Sequence, residues 1–149
     1  MERFDAEMEE AVWQRVHGEQ PPRLEQSLQA LAAAELSEAA AHLMLSRQFQ
    51  GKEKAILRKI YEEDQTHAAC LKGIHYFTFD TPLAVRHVPP APESPVIALR
   101  KAYGRKLRAL RQYESRADDP EYGAVYQALA HQEREHCRLI LELVGNLKK

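Results

Sequence analysis

Apolar residues recur along most of the chain at steps of three and four, and in four places polar residues interrupt the stripe they form. The first long stripe is Leu28, Leu31, Glu35, Glu38, His42, Leu45 and Phe49, which predicts a helix over about 22–49. Gly51 marks a short connection, so a second helix over about 52–76 runs back antiparallel, with Leu57, Ile60, Asp64, His67, Leu71 and Ile74 on one side. Ser94 followed by Pro95, and Asp119 followed by Pro120, have the form of helix starts. They open a third helix over about 95–117 and a fourth over about 120–147. The third carries Val96, Leu99, Tyr103, Lys106, Leu110 and Tyr113; the fourth carries Tyr126, Leu129, Glu133, His136, Ile140, Leu143 and Leu147.

Between the hairpins lies a stretch, 77–95, with Pro82, Pro89, Pro90, Pro92 and Pro95, which suits an extended crossover rather than a tight turn. Ahead of them, residues 3–17 form a shorter pattern with Phe4, Met8, Val12, Trp13 and Val16 on one side, ended by Gly18 and the pair Pro21 and Pro22. This predicts a helical arm that packs on the main body or on a second subunit. The expected architecture is all-α: an arm at 1–20, then a four-helix bundle over 21–149 built from two antiparallel hairpins and a long crossover.

The polar interruptions carry the chemistry. Glu133 and His136 stand three apart on a stripe that otherwise faces a core, where an ionised carboxylate is costly unless it is paired or bound to a metal. Three residues apart on a helix, the two side chains project side by side and can reach one ion. Asp64 and His67 repeat that spacing. Aligning the two pairs also matches Ile60 with Leu129, and allowing two fewer residues in the second hairpin's connection places Glu35 opposite Lys106 and His42 opposite Tyr113. Packing the hairpins about a two-fold axis would bring all these positions together in the middle of the bundle.

Composition narrows the options. The chain has 149 residues, 44% hydrophobic and 29% charged, enough for one domain with a sizeable core. A formal charge of −1 gives no basic field to attract nucleic acid or an anionic membrane. No apolar run approaches the roughly 18 residues of a membrane span, and the acidic N-terminus is unlike a signal peptide. Two cysteines, Cys70 and Cys137, cannot make a four-cysteine centre, and buried inert thiols are the expectation for both. A cytoplasmic protein is expected.

On these motifs the chain resembles the ferritin-like superfamily, in its rubrerythrin-like branch of small bacterial four-helix proteins. The resemblance covers about 24–147 and leaves out the arm. In that family one Glu from each of two helices joins a Glu-x-x-His motif from each of the other two in holding a di-iron centre. Carried onto this chain, the resemblance implies Glu35, Asp64, His67, Glu133 and His136 as metal ligands, with Asp64 in place of a Glu and His42 where the family often has Tyr. The sixth position, a bridging Glu, falls on Lys106, whose charge is opposite. Glu114 is the nearest acid on that helix, two turns away. The activity implied is oxidation of Fe(II) by dioxygen or peroxide, with an external electron donor expected, because these 149 residues include no four-cysteine rubredoxin motif of the kind full rubrerythrins carry.

Three possibilities stay open. A mononuclear or dinuclear iron or manganese site survives, with Glu38, Glu63 or water filling the gap. Alternatively the metal is lost, and Lys106 forms an internal salt-bridge cluster with Glu35, Asp64 and Glu133. In the third, the polar residues are water-filled remnants in a helical interaction module. A homodimer is expected from the apolar arm. Of the basic residues on the third helix, Lys106 alone is expected inside; Arg100, Lys101, Arg105, Arg108 and Arg111 are expected on the solvated face.

Overall fold

A computed structural model of the chain describes residues 24–88 and 90–147. The arm at 1–20, with Trp13 and its apolar side, lies outside the described residues. Among the described residues four helices appear in order: α1 (Leu24–Ser46), α2 (Gly51–Phe79), α3 (Pro95–Glu114) and α4 (Gly123–Leu147). No strand occurs among the described residues. α1 packs closely on α2 and α3 on α4, while the two hairpins meet each other along thinner seams between α1 and α3 and between α2 and α4. The fold is a four-helix bundle.

Each helix is bounded by local chemistry. α1 is rich in alanine (Ala30, Ala32, Ala33, Ala34, Ala39, Ala40 and Ala41), the residue that loses least on entering a helix. α2 begins at Gly51, whose φ of +62° is the left-handed conformation that glycine adopts without a steric penalty. It ends at Phe79, three residues beyond the expected boundary, and is capped by Asp80, also left-handed, whose N–H donates to the Tyr76 carbonyl at 2.8 Å. Pro95 occupies the first turn of α3, where its missing N–H costs nothing. The start of α4 is later than the sequence suggests, at Gly123. Asp119 folds a turn first, its Oδ1 accepting the backbone N–H groups of Glu121 at 3.0 Å and Tyr122 at 2.8 Å. A Cβ on Gly123 would lie 2.6 Å from the Ala117 carbonyl oxygen, so this close passage admits only glycine.

The core is divided. At one end Leu28, Leu31, Leu71, Ile74, Tyr126 and Leu129 pack together, and Leu83 and Val85 of the crossover cover them. At the other end Leu45, Leu57, Ile60, Leu99, Ile140 and Leu143 form a second cluster. Between the two lies a layer of buried polar side chains supplied by all four helices. No helix among the described residues is long and apolar enough to cross a membrane.

Candidate metal centre

Every polar interruption of the four stripes is buried: Glu35, Glu38 and His42 from α1, Asp64 and His67 from α2, Lys106 from α3, Glu133 and His136 from α4. Four of them converge. Single ligand-type atoms of Glu35, Asp64, His67 and Glu133 all lie within 4.8 Å of one another. A second group with the same mutual spacing, Glu38, His42 and Asp64, shares Asp64 with the first. His136 adjoins without joining the four. Its Nδ1 is 3.5 Å from Asp64 Oδ1 and 3.6 Å from Glu133 Oε2, while its Nε2 faces Glu63 at 3.3 Å.

Lys106 takes the place that the helical register assigns it. Its ammonium contacts Asp64 Oδ1 and lies 3.1 Å from Glu133 Oε2, so it sits on carboxylates from both α2 and α4. It reaches neither oxygen of Glu35 directly. His67 Nδ1 is 3.0 Å from Glu133 Oε1 and 3.3 Å from Glu35 Oε2, and on its far side Nε2–H donates to the Gln132 side-chain oxygen. The Tyr113 hydroxyl donates to Glu35 Oε1 at 2.7 Å. His42 donates from Nδ1 to the Glu38 carbonyl at 2.7 Å and stands 3.2 Å from Asp64 Oδ2.

The proton distribution follows from these neighbours. Burial is the largest influence on Glu35 and pushes its carboxyl up to about 8, against the pull of His67. Burial opposes ionisation of Asp64 and Glu133 too, but Lys106 and a histidine beside each hold both below the ordinary carboxylate range. Burial would lower His67, yet Glu133 and Glu35 raise it to about 10. Lys106 rises for the same reason, through Asp64 and Glu133. At neutral pH the layer therefore balances Lys106 and His67 as cations against Asp64 and Glu133 as anions, with Glu35 holding a proton. Burial and the Glu35 acid also push the Tyr113 phenol far up, so it remains a donor.

The chain matches no protein-family model, no curated protein and no solved structure. What the layer can do is decided by its own atoms.

Those atoms include several that fit a cation. Glu35 Oε2, Glu38 Oε2, Asp64 Oδ2, Glu133 Oε2 and His136 Nδ1 are buried without a hydrogen bond. Mixed carboxylate and imidazole donors suit iron or manganese, and zinc also accepts them. Gln132 fixes the His67 ring by accepting a hydrogen bond from its Nε2–H, which leaves Nδ1 turned toward the carboxylates as the coordinating nitrogen once it is deprotonated. Two ions fit less well, because the ammonium of Lys106 already stands on Asp64 and Glu133.

Two partners were not expected from the sequence. Gln132 lies off the apolar stripe and precedes Glu133, so nothing in the periodicity singles it out. Arg105, expected among the solvated arginines, is only 38% exposed and turns back to bind Glu38. A basic residue directly beside a buried lysine, one turn from an unmatched acid across the seam, is the one signal that could have found it. Glu114, by contrast, is exposed and pairs with Arg134 at 3.2 Å on the surface. It takes no part in the layer. Cys137 is buried and Cys70 half-buried, and both are free thiols. Burial pushes the Cys137 thiol up, which keeps it protonated and unreactive.

Proposed function

We propose that the bundle binds one divalent transition-metal ion, iron or manganese, between Glu35, Asp64, His67 and Glu133, with His136 at its edge. On this proposal it is a ferritin-like protein of the rubrerythrin type whose centre is reduced by the Lys106 substitution. The observation that carries it is the convergence of four buried ligand-type side chains from three helices, with oxygen atoms left without hydrogen bonds. Glu133 Oε2 has the Lys106 ammonium 3.1 Å away, but Glu35 Oε2 and Asp64 Oδ2 accept no hydrogen bond, and because buried polar atoms are normally satisfied these two favour a cation.

The chain's own residues have distinct tasks here. Glu35, held by Tyr113, and His67, through Nδ1, would hold the ion once each has released its proton to solvent. The apolar clusters on either side of the layer exclude bulk water. Lys106 neutralises part of the negative charge and limits the layer to a single ion. Bound iron would supply one-electron chemistry, the oxidation of Fe(II) by peroxide or dioxygen with electrons from an external donor.

A second possibility has its own observation. The contacts of Lys106 and His67 with Asp64 and Glu133 make the layer self-neutral without metal, which suits a metal-free helical interaction protein. Elemental analysis of protein purified without chelator, followed by Mn(II) and Fe(II) titration of the parent, Glu133→Ala and Lys106→Glu, separates the two. One ion per chain in the parent, loss in Glu133→Ala and a gain toward two in Lys106→Glu are expected. Absence of binding in both the parent and Lys106→Glu would leave the metal-free bundle as the function.

A further inference from the structure

The thin seam between α1 and α3 opens into a groove of about 440 Å³, within the roughly 300–1,000 Å³ typical of small-molecule sites. Its sides are built from Ala30, Leu31 and Ala34 of α1 and Ala109 of α3, and among the described residues no large side chain fills the space between them. Its floor is the outer wall of the polar layer. There Lys106 and Tyr113 turn their polar ends inward, to Asp64, Glu133 and Glu35. What they show the groove is an aliphatic stem and an aromatic ring. A pocket floored by charged residues is thereby apolar.

The mouth is different. Arg105 and Arg108 line it. Arg105 is engaged with Glu38, but Arg108 is exposed and has no ion pair among the described residues. The opposite side of the mouth has no acid to offset it: from Ser27 to Ser46 the ionisable residues of α1 are Glu35, Glu38 and His42, and all three are buried. A guanidinium with a free fork at the end of an apolar slot recognises an anion on an apolar chain. With Arg105 already taken by Glu38, a single guanidinium is free at the mouth, which matches one negative charge and favours a carboxylate over a phosphate.

We infer that this groove binds a small amphiphilic monocarboxylate, with its carboxylate on Arg108 and its apolar chain between Ala30, Ala34 and Ala109. The inference goes beyond the metal site and does not depend on it, since the groove is complete without an ion. Decanoate, below its micellar concentration and with chelator present, is the probe, and calorimetric titration is the measurement. The parent binds one decanoate per chain. Decanol, which has the chain without the charge, binds about tenfold or more weakly, as does decanoate to Arg108→Gln, because a charge-assisted hydrogen bond is lost in each. Ala34→Trp, an exposed position whose enlargement fills the slot, abolishes binding while leaving the melting temperature unchanged. Arg111→Gln, on the same helix and outside the groove, binds like the parent. Equal binding of decanoate and decanol, normal binding by Ala34→Trp, or an equal loss in Arg111→Gln would each overturn the assignment. Because chelator is present throughout, failure here leaves the metal titrations untouched, and absence of metal in those titrations leaves the groove standing.

Discussion

The two hairpins present matching positions to the interior and fill one of them with opposite charge. Glu35 on α1 and Lys106 on α3 occupy equivalent places in the repeat, and both are buried. Glu35 resolves its burial by keeping a proton, with the Tyr113 hydroxyl donating to Oε1 and the His67 ring 3.3 Å from Oε2. Lys106 resolves its own by staying charged between two anions. One interior charge is thus avoided and the other is matched. The lesson is that a buried ionisable side chain is tolerated through either route, and that the route decides how much its removal disturbs.

The largest expected effect therefore lies on the α3 side. Lys106→Met leaves Asp64 and Glu133 buried without their shared cation, a change that costs about 3–5 kcal/mol in denaturant melts carried out in chelator. If an ion can take the ammonium's place, Mn(II) restores much of that loss in the variant and little in the parent. A variant as stable as the parent in chelator would show that Lys106 is not the counter-charge.

The pH dependence of stability comes next. Glu35 binds its proton up to about 8 when folded and only to its ordinary value when unfolded. Between those limits the folded state holds more protons, so its contribution to stability is full below the unfolded value and is lost as pH rises through about 8. His67, raised to about 10, acts in the same direction: its contribution is full below 6.5 and lost as pH rises through about 10. Asp64 and Glu133, both depressed, contribute above their unfolded values and lose that contribution as pH falls. Metal-free protein should be most stable just above the ordinary carboxylate range and weaken steadily from there to pH 10. Melts across pH 4 to 10 measure this, and a profile rising from pH 6 to 9 would contradict the proton placement.

Smaller effects test the α1 side. Tyr113→Phe removes one donor from Glu35 and should cost about 1 kcal/mol. Glu35→Gln replaces a protonated acid with a neutral group of the same shape, so at pH 6 it should cost less than about 1 kcal/mol and flatten the decline between pH 5 and 8. A loss as large as that of Lys106→Met would mean Glu35 is ionised, and the contrast between the hairpins would fail.

Much of this layer was legible in the sequence because helical periodicity is a local property. The stripes of α1 and α2 are buried from Leu28 to Leu45 and from Leu57 to Ile74, as spaced. The register that set Lys106 opposite Glu35 rests on the same periodicity and on the internal repeat. On α3 the pattern was less clear. Tyr103 and Leu110 are only partly buried, and the innermost line instead passes through Leu99, Ala102, Lys106 and Tyr113. A small residue such as Ala102 contributes little to a hydropathy stripe even when it lies at the closest approach. The roles of Gln132 and Arg105 were not legible, since each depends on what the facing helix brings within reach. The gathering of four ligands and the near miss of His136 likewise depend on distances between helices.

The thinness of the seams between hairpins has a consequence in time. Lys106 to Asp64, His67 to Glu133 and Gln132, Tyr113 to Glu35 and Arg105 to Glu38 all join one hairpin to the other. The close packing within each hairpin is local in sequence and can form early. The polar layer can assemble only when two largely formed halves meet, which makes it a late event on the folding path. Substitutions in it should then accelerate unfolding and leave the folding rate nearly unchanged. The layer that carries the chemistry would be the lock that sets how long the folded chain persists.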